Sequence, residues 1–176
     1  MPLFRKGRLA MVRILKIMDR ISICSGKLCA IPLFLVIFVV LYEVIARYCF
    51  NSPTQWANEL MLMGCAFVYL AGGAWVLQSD KHIRMELLYD KLSERGKALM
   101  DLATSVFFFL YLGLFILVSG NLAWESLKLK ETTGSSWDPP FYPIKIIFAL
   151  SVILLVLQGV SNFLKNAYFL LKGKRP

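Results

Sequence analysis

The sequence predicts an all-α membrane protein with four transmembrane helices, and three observations support this fold class. Of the 176 residues, 58% are hydrophobic and only 18% are charged, and the mean hydropathy is +0.63. Soluble domains contain about 45–50% apolar and about 25% charged residues. The apolar residues form long runs separated by short charged segments, a pattern typical of a multi-pass membrane protein. We therefore expect one membrane domain covering residues 1–176.

The N-terminal segment, residues 1–27, predicts a basic amphipathic helix. Apolar and basic side chains each recur every three or four positions and form separate stripes: Met11, Ile14, Met18 and Ile21, and Arg13, Lys16 and Arg20. A helix of this kind lies along a membrane with its basic stripe at the lipid headgroups. A solvated basic tail is the alternative interpretation. The following apolar run is too long for a signal-peptide core, and no small-residue cleavage site follows it.

Four apolar segments are the predicted spans, covering roughly residues 28–46, 53–78, 98–124 and 143–163. Pro32 falls in the first turn of the first span, where a missing N–H costs little. At the second span, Ser52 is the expected N-cap, Pro53 the first helical residue, and Gln55 the partner that completes a capping box. Small residues from Gly64 to Ala74 offer faces for close helix packing.

The loops carry further helix signals. Met85, Leu88, Tyr89 and Leu92 share one helical face, which predicts a second interfacial helix in the loop after the second span. Ser93 is the expected N-cap of the third span. We expect that helix to extend to Lys130 and the segment to end at Gly134.

Orientation follows from the positions of Lys and Arg. Seven lie in the N-terminal segment, five in the loop between the second and third spans, and four from Lys165 onward, while the other side of the membrane receives four. The positive-inside rule then predicts that both termini are cytoplasmic. The net charge of +9 is explained by these flanking residues, so we do not expect a nucleic-acid partner.

The residue types needed for catalysis or metal binding are sparse. His82 is the one histidine, and the four cysteines, at positions 24, 29, 49 and 65, have no Cys-x-x-Cys spacing. A haem with two histidine ligands, a histidine-based metal site and a nucleophile–base arrangement are therefore not expected. We predict that the chain is not an enzyme and has no cofactor.

Three charged residues lie at the outer edge of the first two spans. Glu43 and Arg47 are four residues apart on one helix face, and Glu59 lies about two turns into the second span. Because an unpaired buried charge is costly, we expect Arg47 to pair with these carboxylates. The favoured interpretation is a structural clasp made of Glu43, Arg47 and Glu59. A solute or ion site, or contact with a partner subunit, are the alternatives.

With these residues in place, the sequence resembles the small membrane subunit (Q-type, DctQ-like) of tripartite ATP-independent periplasmic (TRAP) transporters. The resemblance covers most of the chain and rests on short motifs in a fixed order. The motifs are Arg47-Tyr48, Pro53, Trp56, Glu59, Gly72-Gly73, His82-Ile83-Arg84 and the turn from Trp137 to Pro143. One departure is Asn58, where the family often has a second acidic residue.

The resemblance implies a location in the bacterial inner membrane and two protein partners. A large multi-span subunit, paired with this chain as a heterodimer, holds the substrate and sodium sites and moves by an elevator-like mechanism. A periplasmic protein captures the solute, typically an organic acid with a carboxylate or sulfonate. The small subunit enlarges the static scaffold among the membrane lipids.

Our leading hypothesis is a non-catalytic scaffold for sodium-coupled symport. An outer aromatic belt is its expected docking surface for the binding protein: Tyr48, Phe50, Trp56, Trp124, Trp137 and Tyr142. The first alternative is a self-sufficient small carrier that uses Glu43, Arg47 and Glu59. The second is a membrane anchor of another complex.

Overall fold

The computed structural model describes residues 2–79 and 92–173, with side chains described from residue 12 onward. Within those ranges the chain forms five α-helices: α1 (Pro2–Leu28), α2 (Ala30–Cys49), α3 (Gln55–Gln78), α4 (Glu94–Leu129) and α5 (Tyr142–Lys172). Four stretches are long and apolar enough to cross a membrane: Val12–Cys49, Gln55–Gln78, Glu94–Leu129 and Tyr142–Lys172. The predicted all-α, four-span fold class is confirmed. The second interfacial helix was predicted from Met85, Leu88, Tyr89 and Leu92, and the first three of these lie outside the described residues.

Helices α1 and α2 follow each other almost without interruption, so the first apolar helical stretch begins well before residue 28. The break lies at Cys29, whose N–H is shared between the carbonyls of Ser25 and Gly26, each at 3.2 Å. Pro32 explains this break, because it lacks the N–H that would bond to the carbonyl of Leu28 and its ring crowds that carbonyl. The 38 residues of Val12–Cys49 extend about 57 Å at 1.5 Å per residue. That length exceeds the roughly 30 Å hydrocarbon core of a bilayer.

The ends of α4 and α5 follow recognisable capping chemistry. Ser93 caps α4 as predicted, since its Oγ accepts a hydrogen bond from the Gly96 N–H at 3.2 Å. Helix α4 ends at Leu129, and Lys130 adopts the left-handed conformation with φ of 46°. The expectation that Gly134 ends the segment is wrong, because Lys130 already makes that turn. Helix α5 ends at Gly173, a left-handed residue with φ of 67°.

The helices pack through small residues. Helix α5 contacts α4, α3 and α1, and α3 contacts both α1 and α2. A Cβ added at Gly64 of α3 would overlap Val36 of α2, and one added at Gly159 of α5 would overlap Phe108 of α4. Without hydrophobic solvent exclusion inside a bilayer, close contact of this kind is a main source of helix association.

The outer faces of the helices are apolar and unpaired. Many large hydrophobic side chains are exposed along α2 and α4, including Phe38 on α2 and Phe107 on α4. In a soluble protein such surfaces would aggregate, but lipid tails or another apolar protein surface can cover them.

Candidate functional site: two polar clusters at opposite helix ends

Glu43 is the centre of a polar cluster that joins the end of α2 to the start of α3. Its residue is only 8% exposed. On its own helix, Glu43 Oε1 accepts hydrogen bonds from Arg47 Nη2 at 2.6 Å and Arg47 Nε at 3.1 Å. The pairing is the i, i+4 arrangement that the sequence predicts.

The second carboxylate oxygen of Glu43 reaches across to the α2–α3 turn. Glu43 Oε2 accepts hydrogen bonds from the Thr54 backbone N–H at 3.1 Å and from Thr54 Oγ1 at 2.5 Å. The predicted capping box at Ser52 is therefore wrong. Helix α3 begins at Gln55 rather than at Pro53, and Thr54 takes the N-cap position without a side-chain cap bond. The Thr54 hydroxyl donates to Glu43. We call Glu43, Arg47 and Thr54 the α2–α3 cluster.

Glu59 belongs to a different contact from the one expected. Its Oε2 accepts a hydrogen bond from Thr133 Oγ1 at 3.1 Å, which connects α3 to the turn between α4 and α5. Arg47 instead satisfies its charge with Glu43, one turn earlier on its own helix. The structure therefore brings Glu43 and Arg47 together and places Glu59 in a contact with Thr133.

A shallow cavity of about 220 Å³ lies beside the α2–α3 cluster. Its lining is mostly apolar, and the lining residues with polar side-chain groups are Glu43, Arg47, Tyr48 and Asn58. Both oxygens of the Glu43 carboxylate already accept two hydrogen bonds each. This cavity therefore lacks a free carboxylate for binding a cation or exchanging a proton.

The α4–α5 turn is an ordered structure held by its own polar contacts. Thr132 and Pro140 form an antiparallel bridge, and the Phe141 N–H donates to the Glu131 carbonyl at 2.8 Å. The Glu131 carboxylate pairs with Lys145 Nζ at 2.5 Å, and this ammonium holds the pKa of the Glu131 carboxyl below its usual range. Asp138 Oδ1 accepts from the Gly134 N–H at 2.8 Å.

The predicted aromatic docking residues are found near the same end of the bundle. Tyr48 and Phe50 are 80% and 74% exposed, and Trp124 and Trp137 are also exposed. Trp56 is half-buried and stacks on Tyr42, with 5.4 Å between ring centroids. Tyr142, also half-buried, is the first residue of α5.

Among the other motif residues, Gly72 and Gly73 face neighbouring helices. A Cβ added at Gly72 would lie 3.9 Å from Cys29 Sγ, and one added at Gly73 would lie 3.6 Å from Leu155. Both distances are ordinary van der Waals contacts, so a Cβ fits at either position. Pro53 is exposed in the turn before α3. His82 and Arg84 lie outside the described residues.

A second polar cluster, at the opposite end of the helices, was missed by the sequence reasoning. Lys165 Nζ of α5 contacts both carboxylate oxygens of Asp19 of α1 at 2.7 Å. Gln158 Nε2 donates to Asp19 Oδ1 at 3.0 Å, and Ser22 Oγ donates to Gln158 Oε1 at 2.7 Å. We call Asp19, Ser22, Gln158 and Lys165 the α1–α5 cluster.

Further amides on α5 make contacts with α3 and α4. Asn162 Nδ2 donates to the Leu77 carbonyl of α3 at 3.2 Å, and Asn166 Nδ2 donates to Asp101 Oδ2 of α4 at 3.1 Å. A signal was present in the sequence, because polar residues recur at helical spacing on one face of the apolar fourth span: Gln158, Ser161, Asn162 and Lys165.

Neither cluster has the composition of a metal centre. Across the described parts of the chain, no group of three or more His, Cys, Asp or Glu side chains could hold a metal ion. The α2–α3 cluster has one carboxylate neutralised by one guanidinium, and the α1–α5 cluster has one carboxylate neutralised by one ammonium. The Glu43–Arg47 pair lies within α2 and the Asp19–Lys165 pair joins α1 to α5, and neither pair leaves a net charge for a ligand.

Comparison with known proteins identifies the family of this chain. Residues 36–168 match the family model described as the DctQ component of tripartite ATP-independent periplasmic transporters. The chain belongs to this family. It is a TRAP transporter small permease subunit and a multi-pass protein of the bacterial inner membrane.

One curated relative is the sialic acid TRAP transporter small permease protein SiaQ of Vibrio cholerae. It is 22% identical to this DctQ-family chain over 155 residues, which cover 86% of the chain and 88% of the relative. The family match includes α3 and α4 whole and most of α2 and α5, and it leaves α1 outside. The α2–α3 cluster and the α4–α5 turn thus lie inside the matched region.

Proposed function

We propose that this DctQ-family subunit is a non-catalytic scaffold that binds the large membrane subunit of its transporter. The observation that carries the proposal is the absence of ionisable residues from the span centres. Residues 30–42, 60–79, 102–124 and 146–164 contain no Asp, Glu, Lys, Arg or His. A carrier that moves an ion or a charged solute places ionisable groups near the bilayer midplane. Those groups therefore belong to the partner subunit.

The transport reaction in this proposal is sodium-coupled, binding-protein-dependent uptake of an organic acid. The name of the Vibrio cholerae relative, a sialic acid transporter subunit, supports an acidic solute. We propose that both termini are cytoplasmic, with the α1–α5 cluster on that side and the α2–α3 cluster on the periplasmic side. Reporter fusions at the C-terminus and at Ser136 then report opposite sides of the membrane.

We further propose two roles for the periplasmic end. The α2–α3 cluster, with Glu59 and Thr133 beside it, acts as a structural clasp that fixes the helix ends. The exposed aromatics around it, with Tyr48 and Trp137 as the most accessible positions on α2 and the α4–α5 turn, contact the binding protein. The hydrogen-bonded α4–α5 turn supports this role, because a preordered surface loses little conformational entropy on binding.

Uptake in proteoliposomes tests the scaffold proposal. The large subunit and the binding protein are reconstituted with and without this chain, and initial uptake of the solute is measured under a sodium gradient. We expect uptake to be lost or strongly reduced without the chain. An unchanged rate overturns the scaffold proposal, and uptake by this chain alone overturns it in favour of a self-sufficient carrier.

The docking surface has its own test. Tyr48→Ala and Trp137→Ala should weaken binding of the binding protein to the assembled complex, measured by surface plasmon resonance. Phe107→Ala is the matched control, because it removes an exposed aromatic ring from the middle of α4. Equal binding by all three variants contradicts the docking role.

A further inference from the structure

Two tyrosine side chains are exposed at the centres of their membrane spans. Tyr69 of α3 is 81% exposed and Tyr111 of α4 is 58% exposed. Each is the tenth residue of a stretch without Asp, Glu, Lys, Arg or His, residues 60–79 on α3 and residues 102–124 on α4. At about 1.5 Å per residue, the α3 stretch extends about 30 Å, the thickness of the hydrocarbon core. Both side chains therefore leave the backbone near the bilayer midplane.

Neither tyrosine hydroxyl has a hydrogen-bond partner within the part of the chain that the structure describes. Membrane proteins place most tyrosines at the two interfaces, where the hydroxyl reaches water. At the midplane there is no water and lipid tails offer no acceptor, so an unpaired hydroxyl is destabilising there. The two hydroxyls indicate an occupant that carries hydrogen-bond acceptors at this depth.

Helices α3 and α4 pack on the same side of α5. A Cβ added at Gly73 of α3 would lie 3.6 Å from Leu155, and one added at Gly159 would overlap Phe108 of α4. Leu155 and Gly159 are four residues apart, which is about 40° around α5 at about 100° per residue. The surfaces of α3 and α4 that adjoin this side of α5 therefore form one face of the bundle.

Tyr111 lies on the α3 side of α4. On α5, Phe148 is about 20° from the residue that contacts α3, and Phe163 is about 80° from it in the same direction. Phe148 contacts Phe115, and Phe163 contacts Phe109, so Phe115 marks the side of α4 nearer to α3. Tyr111 stacks on Phe115 with 4.5 Å between ring centroids, and it lies about 40° farther from Phe109 around the helix.

Tyr69 lies on the α4 side of α3. As alternate spans, α3 and α5 cross the membrane in the same direction, and successive residues turn clockwise by about 100° when seen from the N-termini. The α4 contacts lie clockwise of Leu155 on α5, whereas Tyr69 lies about 40° counterclockwise of Gly73 on α3. For two parallel helices side by side, those directions point to the same side. The exposed residues there are Leu62, Tyr69, Val76, Tyr111 and Val118, and we call them the α3–α4 face.

The spacing on α3 indicates that the occupant is helical. Leu62, Tyr69 and Val76 are exposed at intervals of seven residues. Between them, Cys65 and Gly72 are small and half-buried, so large side chains alternate with gaps. A seven-residue repeat of this kind fits the side chains of a second helix that crosses at about 20°. Small residues also allow two backbones to approach closely in a bilayer.

We propose that the α3–α4 face binds the large membrane subunit, whose helices accept hydrogen bonds from the hydroxyls of Tyr69 and Tyr111 through backbone or side-chain oxygens. The inference rests on the scaffold proposal and names the surface that carries it. The span centres of this chain hold no ionisable residue. The acceptors therefore belong to the partner, whose proposed ion and solute sites need polar groups near the midplane.

Photo-crosslinking in the assembled complex tests the surface. p-Benzoylphenylalanine replaces Tyr69, Tyr111 or Ile153 in the full chain, which is co-expressed with its tagged large subunit and irradiated in membranes. Ile153 is the matched control, because it is exposed at a similar depth on α5 and lies about 160° around that helix from Leu155. We expect covalent adducts with the large subunit from positions 69 and 111 and at most a trace from position 153.

Removing each hydroxyl tests the hydrogen bonds. Tyr69→Phe and Tyr111→Phe keep the ring, and we expect each to raise the Kd for the large subunit by about two- to tenfold, the effect of one neutral hydrogen bond. The Kd is measured by energy transfer between fluorescently labelled subunits in vesicles of increasing lipid content. Tyr168→Phe is the matched control and should leave the Kd unchanged, because Tyr168 lies beyond Lys165 at the end of its span.

The melting temperature of the isolated chain separates a binding defect from a folding defect. We expect it not to fall in Tyr69→Phe or Tyr111→Phe, and a fall would overturn the inference by showing that the hydroxyl is bonded within the chain. An unchanged Kd in either variant, adducts with a second copy of this chain, or equal yields at positions 69 and 153 would also overturn it while leaving the scaffold role intact. If the parent chain and the large subunit do not associate, both proposals fail.

Discussion

At the scale of single residues, the Glu43 carboxylate connects a helix end to the turn that follows it. It accepts hydrogen bonds from Arg47 through one oxygen and from Thr54 through the other. A carboxylate used in this way is a structural acceptor, and removing it leaves several donors without a partner.

We therefore predict that Glu43→Ala destabilises the protein more than Arg47→Ala. Glu43→Ala leaves the Arg47 guanidinium and both Thr54 donors without their acceptor. Arg47→Ala leaves the hydrogen bonds between Glu43 and Thr54 in place. The measurement is the melting temperature of each variant in detergent, with unfolding monitored by circular dichroism. Glu125→Ala is the control, because it removes an exposed acid from α4 and should change the melting temperature little. A larger loss for Arg47→Ala would contradict the prediction.

A second residue-scale prediction concerns pH and the ion pair of Glu131 with Lys145. Because the folded-state pKa of Glu131 is lowered, the pair contributes stability above the ordinary glutamate pKa of about 4.3. That contribution is lost as the pH falls through the lower folded-state pKa. In Lys145→Met the ammonium is gone, so the pKa of Glu131 should move up toward its ordinary value.

The measurement is the titration of the carboxyl carbon in protein labelled with ¹³C-glutamate, with the Glu131 signal assigned from Glu131→Gln. We expect a lower midpoint in the parent protein than in Lys145→Met. Lys128→Met is the matched control. Lys128 also lies near the C-terminal end of α4, but its ammonium lies over the Trp124 ring, 5.0 Å from the ring centroid. Identical midpoints in the parent and Lys145→Met would refute the assigned cause.

At the scale of elements, the helices associate where a missing side chain allows the backbones to approach. Gly64 meets Val36 on α2, and Gly159 meets Phe108 on α4. Gly113 of α4, in contrast, faces open space, since nothing lies within 4 Å of an added Cβ.

Gly64→Ala should thus destabilise the α2–α3 contact by about 1–3 kcal/mol, the usual cost of forcing extra atoms into a packed interface. Gly113→Ala is the matched control and should be neutral or stabilising by up to about 1 kcal/mol, because alanine favours helix more than glycine. Chemical denaturation in mixed micelles compares the two variants. A neutral Gly64→Ala would show that α2 and α3 separate easily at this point.

At the scale of the whole molecule, the helices form an open arrangement with little interior. In the most apolar window of each candidate span, at most 28% is buried inside the protein. Helices α2 and α4 each depend mainly on one neighbour, α3 and α5 respectively. Much of their apolar surface is available for lipid or for a partner subunit.

From this openness we predict that the large membrane subunit raises the thermal stability of the chain. A partner that binds the folded state stabilises it by mass action. The chain is purified alone and in complex, in the same detergent and lipid, and unfolding is followed by differential scanning fluorimetry on its tryptophans, with the large subunit alone as reference. Equal melting temperatures for the free and the bound chain would contradict the scaffold proposal.

The sequence by itself determined the fold class. An apolar run long enough to cross a bilayer forms a helix, because a helix satisfies all its backbone hydrogen bonds within the segment. It also determined the cap at Ser93, which depends on residues within one turn of each other. For Arg47 it left two candidate partners, Glu43 and Glu59, without deciding between them. The family resemblance was visible for the same reason, because its motifs are short and local.

Only the tertiary structure decided how residues far apart in the chain meet. Asp19 and Lys165 are 146 positions apart, and helical periodicity says nothing about which stripes face each other. The partner of Glu59 proved to be Thr133, 74 positions away, and the Thr54 hydroxyl donates to Glu43, 11 positions earlier in the chain. In each case several hydrogen-bond partners were possible for a polar side chain, and helix packing determined which of them came within hydrogen-bonding distance.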